Sequence, residues 1–183
     1  MAGWMNSDGL YVKFGGDEAD LIKGGHMIDG ANKHQLELIV DYTDLLSATA
    51  AVLGSASVTT DGTFGITMPK GARIEAVETV VQTAFTSSGT IGSATFVFGL
   101  KKASDRSTEL DHDGFFTTAA TGTVLGLATV GSRIYTVVGS TGAGALLGTN
   151  ISENGVISVS NSAHATHPYT AGKLRVRISY FFP

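Results

Sequence analysis

Apolar and polar residues alternate at period two in several separate runs of this chain, and that alternation predicts strands. The clearest run closes the sequence. Leu174, Val176, Ile178, Tyr180 and Phe182 share one face, and Lys173, Arg175 and Arg177 lie on the other. Residues 35–42 place Leu36, Leu38 and Val40 together, and residues 94–100 place Ala94, Phe96, Phe98 and Leu100 together. Residues 63–67, 124–130, 133–138 and 156–160 add further β-rich segments separated by glycine-containing turns.

The longest run is launched by Pro69-Lys70-Gly71, with Pro69 expected at the first central position of a turn and Gly71 at its exit. Ala72, Ile74 and Ala76 face one way; the apolar set then shifts to Val77, Thr79, Val81 and Phe85. The phase slips by one at Ala76-Val77. A strand of this length is expected to bend at a bulge there. Residues 43–54 fit a different period: Leu45, Leu46, Thr49, Val52 and Leu53 form a helical stripe that Thr43 or Asp44 could cap and Gly54 could end. This is the single helix the pattern predicts.

The opening of the chain is acidic, with Asp8, Asp17, Glu18 and Asp20 among its charges, and holds one apolar island, Leu10-Tyr11-Val12-Lys13-Phe14, between glycines. Such an island suits an arm that pairs with a neighbour or lies across the core, and equally an ordinary edge strand. Gly24-Gly25 and Asp29-Gly30 mark turns. The chain therefore divides into an N-terminal arm, 1–35, and a β domain, 36–183. Many short strands between turns predict an all-β fold, a β-sandwich or jelly-roll-like domain with an extended N-terminal arm.

Composition sharpens this picture. Only 15% of residues are charged, against about 25% in an average soluble domain. A surface with so few charges is covered by hydroxyls and small apolar groups or by another protein, and the second points to assembly. The net charge of −4 argues against nucleic acid and anionic membranes as partners. With no cysteine among the 183 residues, disulfides and thiolate metal sites are excluded. Residues 1–8 have neither a basic start nor an apolar core, so no secretory leader is read. The uncharged stretches 114–132 and 134–152 are too broken by Gly, Thr and Ser for membrane helices.

Candidate chemistry is thin. Residues 140–148, Ser-Thr-Gly-Ala-Gly-Ala-Leu-Leu-Gly, invite a phosphate-loop reading but lack the Gly-Lys-Ser/Thr ending and a following helix, so they read as a flexible loop. Asp105, Glu109, Asp111 and Asp113 resemble part of a calcium loop without its closing Glu; whether Asp111 and Asp113 bind calcium stays open. His164 and His167, three apart beside Pro168, fall in a hairpin loop rather than on a helix that could share a metal. No Gly-x-Ser-x-Gly elbow is present. No catalytic, cofactor-binding or metal residues are assigned, and an enzyme is not expected. Lys173, Arg175 and Arg177 form a basic strip, read as the wet face of a sheet.

Three segments carry a family resemblance. Asn6-Ser7-Asp8-Gly9-Leu10-Tyr11-Val12-Lys13-Phe14-Gly15 resembles the opening of structural proteins of tailed bacteriophages. Pro69-Lys70-Gly71-Ala72-Arg73-Ile74, with Thr83-Ala84-Phe85-Thr86-Ser87 and Ile91-Gly92, is similar to the sheet core of such virion proteins, and residues 172–180 fit the same pattern. The resemblance implies a capsid decoration (cement) protein: a homo-oligomer, dimer or trimer, made in the host cytoplasm, that binds the major capsid protein on the capsid exterior. Leu10, Tyr11, Val12 and Phe14 are the expected interface anchors. A neck or tail-associated position and a host-glycan-binding β-sandwich module are the alternatives.

Overall fold

A computed structural model describes residues 3–5, 11–15, 24–29, 33–45, 51–52, 67–105, 107–116, 120–121, 126–140 and 142–183; at 3–29, 51–52 and 120–121 it describes the backbone alone. In chain order the strands are β1 (Gly3–Met5), β2 (Tyr11–Gly15), β3 (Gly24–Asp29), β4 (Lys33–Asp41), β5 (Ala51–Val52), β6 (Thr67–Met68), β7 (Arg73–Ser87), β8 (Thr95–Lys102), β9 (Glu109–Asp111), β10 (Ala120–Thr121), β11 (Arg133–Val137), β12 (Gly155–Ser160) and β13 (Tyr169–Phe181). They make an all-β sandwich. One antiparallel sheet runs β1-β2-β3-β4-β13-β7-β11, and the other β10-β8-β12-β5, with β6 also on β12 and β9 on β8.

The period-two pattern explains why the sheets face each other. Leu36, Leu38 and Val40 of β4, Ile74, Val77 and Val81 of β7, and Leu174, Val176 and Ile178 of β13 are buried in one cluster with Phe96, Phe98, Ile157 and Val159 of the second sheet. Rings thicken the layer: Phe98 lies 4.7 Å from Phe115 between centroids, and Phe85 meets Tyr169 edge-on at 5.2 Å. Each large side chain so buried stabilises the fold by about 1.5–3 kcal/mol.

A bulge is present, but earlier than the expected Ala76-Val77. Ser179 pairs with Ala76 and the next residue, Tyr180, with Ile74, so Glu75 is the extra residue. Ala76 lies in the outer row with Ser179 and Val137, not on the face of Ile74. A second irregularity, at Lys173/Leu174, leaves Gln82 extra between Val81 and Thr83; the sequence pattern did not anticipate it. These bulges let β7 turn its apolar face back to the core twice along 15 residues.

Four expectations change. Pro69 is not a central turn residue: Ala72 N–H donates to Pro69 O at 3.2 Å, so Lys70 and Gly71 are central, and Gly71 takes the positive φ of +84° that such a turn reserves for glycine. The predicted helix over 43–54 is replaced, in its described part, by one 3-10 turn, Tyr42–Leu45, and strand β5; the apolar stripe serves a buried Leu45 and a strand on β12 instead. The 124–130 segment is not a strand over its described part. Residues 126–132 are turns that dock on β7, Leu127 O accepting from Phe85 N–H at 2.8 Å. Finally, Gly24-Gly25, expected as a turn, opens β3 instead, and the opening strands run as a meander, β1 on β2, β2 on β3 and β3 on β4.

Candidate interaction surface

The second face of β13 is the centre of an exposed sheet surface. Register sets its rows. Gln35, Ser179, Ala76 and Val137 lie side by side across β4, β13, β7 and β11; so do Glu37, Arg177, Glu78 and Tyr135, and then Ile39, Arg175, Val80 and Arg133. The basic strip read from the sequence is thus interleaved with acids from the neighbouring strands. Arg177 Nε reaches Glu37 at 2.5 Å and its Nη1 lies 3.8 Å from Glu78. Arg133 also pairs with Glu78, and Lys173 lies 4.0 Å from Asp41. Hydrogen bonding and attraction from Glu37 raise the Arg177 pKa above its ordinary value. Apart from Arg175, which lies between half-buried Ile39 and Val80, the bases of this face each have an acidic partner, so it is not a basic patch for a polyanion.

Where the bulge sits, the face is hollowed. Ala76 and Ser179 are the smallest side chains in their row and form a floor, and a hollow of about 450 Å³ opens over them, walled by Lys33, His34, Gln35, Glu75, Tyr135 and Val137. Lys33 and Glu75 form a loose ion pair at 3.9 Å across it. Tyr135 is 63% exposed, and Val130 and Val138 flank its strand as the other large apolar side chains left open among the described residues.

The two margins of this sheet differ. Among the described residues β11 pairs only with β7, with Ile134 and Thr136 facing their backbone groups to it by the antiparallel alternation. The outward groups of Val137 are occupied by one side chain: Val137 N–H donates to Ser140 Oγ at 3.1 Å, and the Ser140 hydroxyl donates to Val137 O at 2.7 Å. A free strand edge invites pairing with other chains, and Ser140 blunts this one at its Val137 end. β1 ends the opposite margin, with β2 as its one hydrogen-bonded neighbour among the described strands. Of the expected anchors, Tyr11, Val12 and Phe14 lie on β2, bonded on both sides, to β1 and β3. Leu10 lies outside the described residues.

The remaining candidate chemistry is engaged elsewhere. The 140–148 loop is docked, not flexible, over its described part. Gly144 N–H donates to Phe115 O, Leu146 N–H to Gly114 O and Gly148 N–H to Ile74 O, at 3.3, 2.9 and 2.8 Å, so the amides a phosphate would need are consumed. Asp105 accepts from Ser107 and Thr108, which hold its carboxyl down at about 2, and Glu109 pairs with His112 at 2.9 Å. Burial first, then the facing Asp113 carboxylate, raises Asp111 to about 6. Among the described residues no group of three or more His, Asp or Glu is placed to hold a metal ion. His167 Nδ1 accepts from Thr90 N–H at 3.0 Å, which occupies that nitrogen's lone pair.

Sequence reasoning missed the hollow. The alternation of Arg133, Tyr135 and Val137 was visible as a strand, but which side chains flank Tyr135 depends on register with β7, and register with a segment so distant in the chain leaves no local signal. Comparison with protein-family models, with characterised proteins and with solved structures finds no match for this chain.

Proposed function

We propose that the protein is a non-enzymatic structural component of a tailed-phage virion, a decoration sandwich that binds the major capsid protein lattice from the capsid exterior as a homo-oligomer. The observation that supports this best is the contrast between the sheet margins: β11 is blunted by Ser140, while the N-terminal meander leaves β1 as an unshared edge among the described strands. An edge of this kind takes a strand from a neighbouring chain, giving main-chain hydrogen bonds without needing many charges. Tyr11, Val12 and Phe14, on β2 of that meander, and Leu10, their neighbour in the sequence, are the proposed anchors, and the family resemblance of the same segment supplies the capsid as the partner. A protein that binds only the assembled shell stabilises it by mass action.

The test is co-sedimentation of the full chain, and of a chain lacking residues 1–16, with assembled shells and with separated tails. Binding to shells that is lost on truncation, with the urea midpoint of the sandwich retained, supports the reading. Equal binding of both forms removes the role of the meander. Binding to tails instead of shells assigns a neck or tail position.

A further inference from the structure

We propose that the hollow over Ala76 and Ser179 is a binding site for an uncharged saccharide, with Tyr135 as its stacking platform. The site is distinct from the β1 margin and does not depend on the capsid reading.

Three features of the hollow select this ligand class. The first is its shape. The Glu75 bulge and the two small floor residues open about 450 Å³ on an otherwise continuous sheet face, within the roughly 300–1,000 Å³ of small-molecule sites. The second is the aromatic. Tyr135 stands 63% exposed at its wall, whereas Tyr169 and Tyr180 are 2% exposed in the core. An open aromatic face gains from covering the C–H face of a sugar ring, as aromatics at interfaces gain from any flat apolar partner with polar edges. The third is the balance of polar groups. The Gln35 amide and the Ser179 hydroxyl each both donate and accept, Lys33 donates and Glu75 accepts. Lys33 and Glu75 face each other at 3.9 Å, so the wall carries both signs and no net charge. A phosphate, carboxylate or ammonium ligand would meet as much repulsion as attraction. A ring bearing several hydroxyls, each a donor and an acceptor, matches each of these groups, and the His34 ring also lines the hollow.

The same geometry argues against a peptide. The floor strands β4, β13 and β7 each have hydrogen-bonded neighbours on both sides, so their backbone offers an extended chain nothing. At the nearest margin, the outward groups of Val137 are already taken by Ser140. Recognition here must come from side chains, which suits a sugar and not strand addition.

The experiment screens the full-length protein against an array of neutral, sialylated and sulfated oligosaccharides, with saturation-transfer NMR on the hits. Tyr135→Ala removes the platform, and Ser179→Leu fills the floor without removing any core group. The expected result is binding to neutral oligosaccharides that falls by about tenfold or more in both variants, with unchanged urea midpoints and unchanged shell co-sedimentation. Three results would overturn the proposal: no neutral saccharide bound at millimolar concentration, binding confined to sialylated or sulfated glycans, or neutral binding that both variants retain. Loss of shell binding in Tyr135→Ala would also overturn it, by making the hollow a protein contact.

Discussion

Glu78 and Arg177 face each other across β7 and β13 at 3.8 Å, and Glu78 is the buried member of the cluster, with Arg133 on its other side. A carboxylate that is 8% exposed between two guanidinium groups is costly to desolvate and is held by those partners. Glu78→Ala would leave Arg177 and Arg133 close together without the intervening negative charge, although Arg177 keeps Glu37. Because Arg133 is well exposed, the expected loss is about 1–3 kcal/mol rather than the larger figure for a fully buried pair. Urea unfolding checks this: the midpoint falls with the slope unchanged. Glu37→Ala removes a more exposed carboxylate and should cost less, on the order of 1 kcal/mol or below.

Asn161 is fully buried and fixes the loop that leads into β13. Its Oδ1 accepts from Thr95 N–H at 3.1 Å, Thr95 Oγ1–H at 3.0 Å and Ala163 N–H at 3.1 Å, and its amide donates to His167 O at 2.9 Å. Truncation takes the Asn161 partner from Thr95 N–H and His167 O, each costing about 1–3 kcal/mol, while Ala163 N–H and the Thr95 hydroxyl keep their bonds to Thr95 Oγ1 and Ser162. Asn161→Ala is therefore expected to lower stability by about 2–4 kcal/mol in total, seen as a fall in Tm of roughly 2–4 °C per kcal/mol for a chain of this size. Asn161→Asp keeps the acceptor and loses the donor to His167 O. If Asn161→Asp proved as stable as the parent, the acceptor side alone would hold the loop.

Asn161 also marks the limit of what local pattern carries. Val176 and Ile178 of β13 declare their burial through period two, whereas nothing around Asn161 marks it as the buried centre of a network. Local alternation made β4, β7, β8, β12 and β13 legible, and even that β7 carries a bulge, though not its place at Glu75, because one residue too many shifts every later side chain to the other face. Long-range partners were not legible. The basic strip of Lys173, Arg175 and Arg177 is the wet face of a sheet, as read, but the Glu37, Asp41 and Glu78 that β4 and β7 bring beside it had no local signal. The stripe at 43–54 misled because Leu45 and Val52 are apolar for separate reasons, one under a turn and the other on a strand.

Two carboxylates give stability opposite dependences on pH. Asp111, partly buried and facing Asp113, titrates at about 6 in the fold against an ordinary 3.8. The folded state binds that proton more tightly than the unfolded chain, so its stabilising contribution is complete below 3.8 and is lost as pH rises through about 6. Asp105, lowered from 3.8 to about 2 by Ser107 and Thr108, contributes above 3.8 and loses its contribution as pH falls toward 2. Urea midpoints measured from about pH 2 to pH 8 check both. Asp111→Asn should flatten the decline between roughly pH 4 and 6, and Asp105→Asn should flatten the acid limb. An unchanged profile in Asp111→Asn would show that the pair does not share its proton.

Gly172 and Phe85 supply the most direct test of the irregular end of β7, where Ala171 pairs with Thr86 but Lys173 with Thr83. Gly172 sits at φ +138°, a region that side chains disfavour, and a Cβ there would land on the Phe85 ring. Phe85 in turn is 2% exposed and packs edge-on against Tyr169, so the ring has no room to retreat. Gly172→Ala therefore combines backbone strain of about 1–3 kcal/mol with overpacking of about 1–3 kcal/mol. The two parts can be separated by a double-mutant cycle. Phe85→Leu removes the ring and costs stability alone by leaving a gap beside Tyr169, yet it makes space for the new methyl group. In the Phe85→Leu background, Gly172→Ala should cost only the backbone share, giving a coupling of about 1–3 kcal/mol between the two sites. Strict additivity in urea unfolding would mean that the glycine is required for its φ alone, and that the approach of strand and ring is incidental.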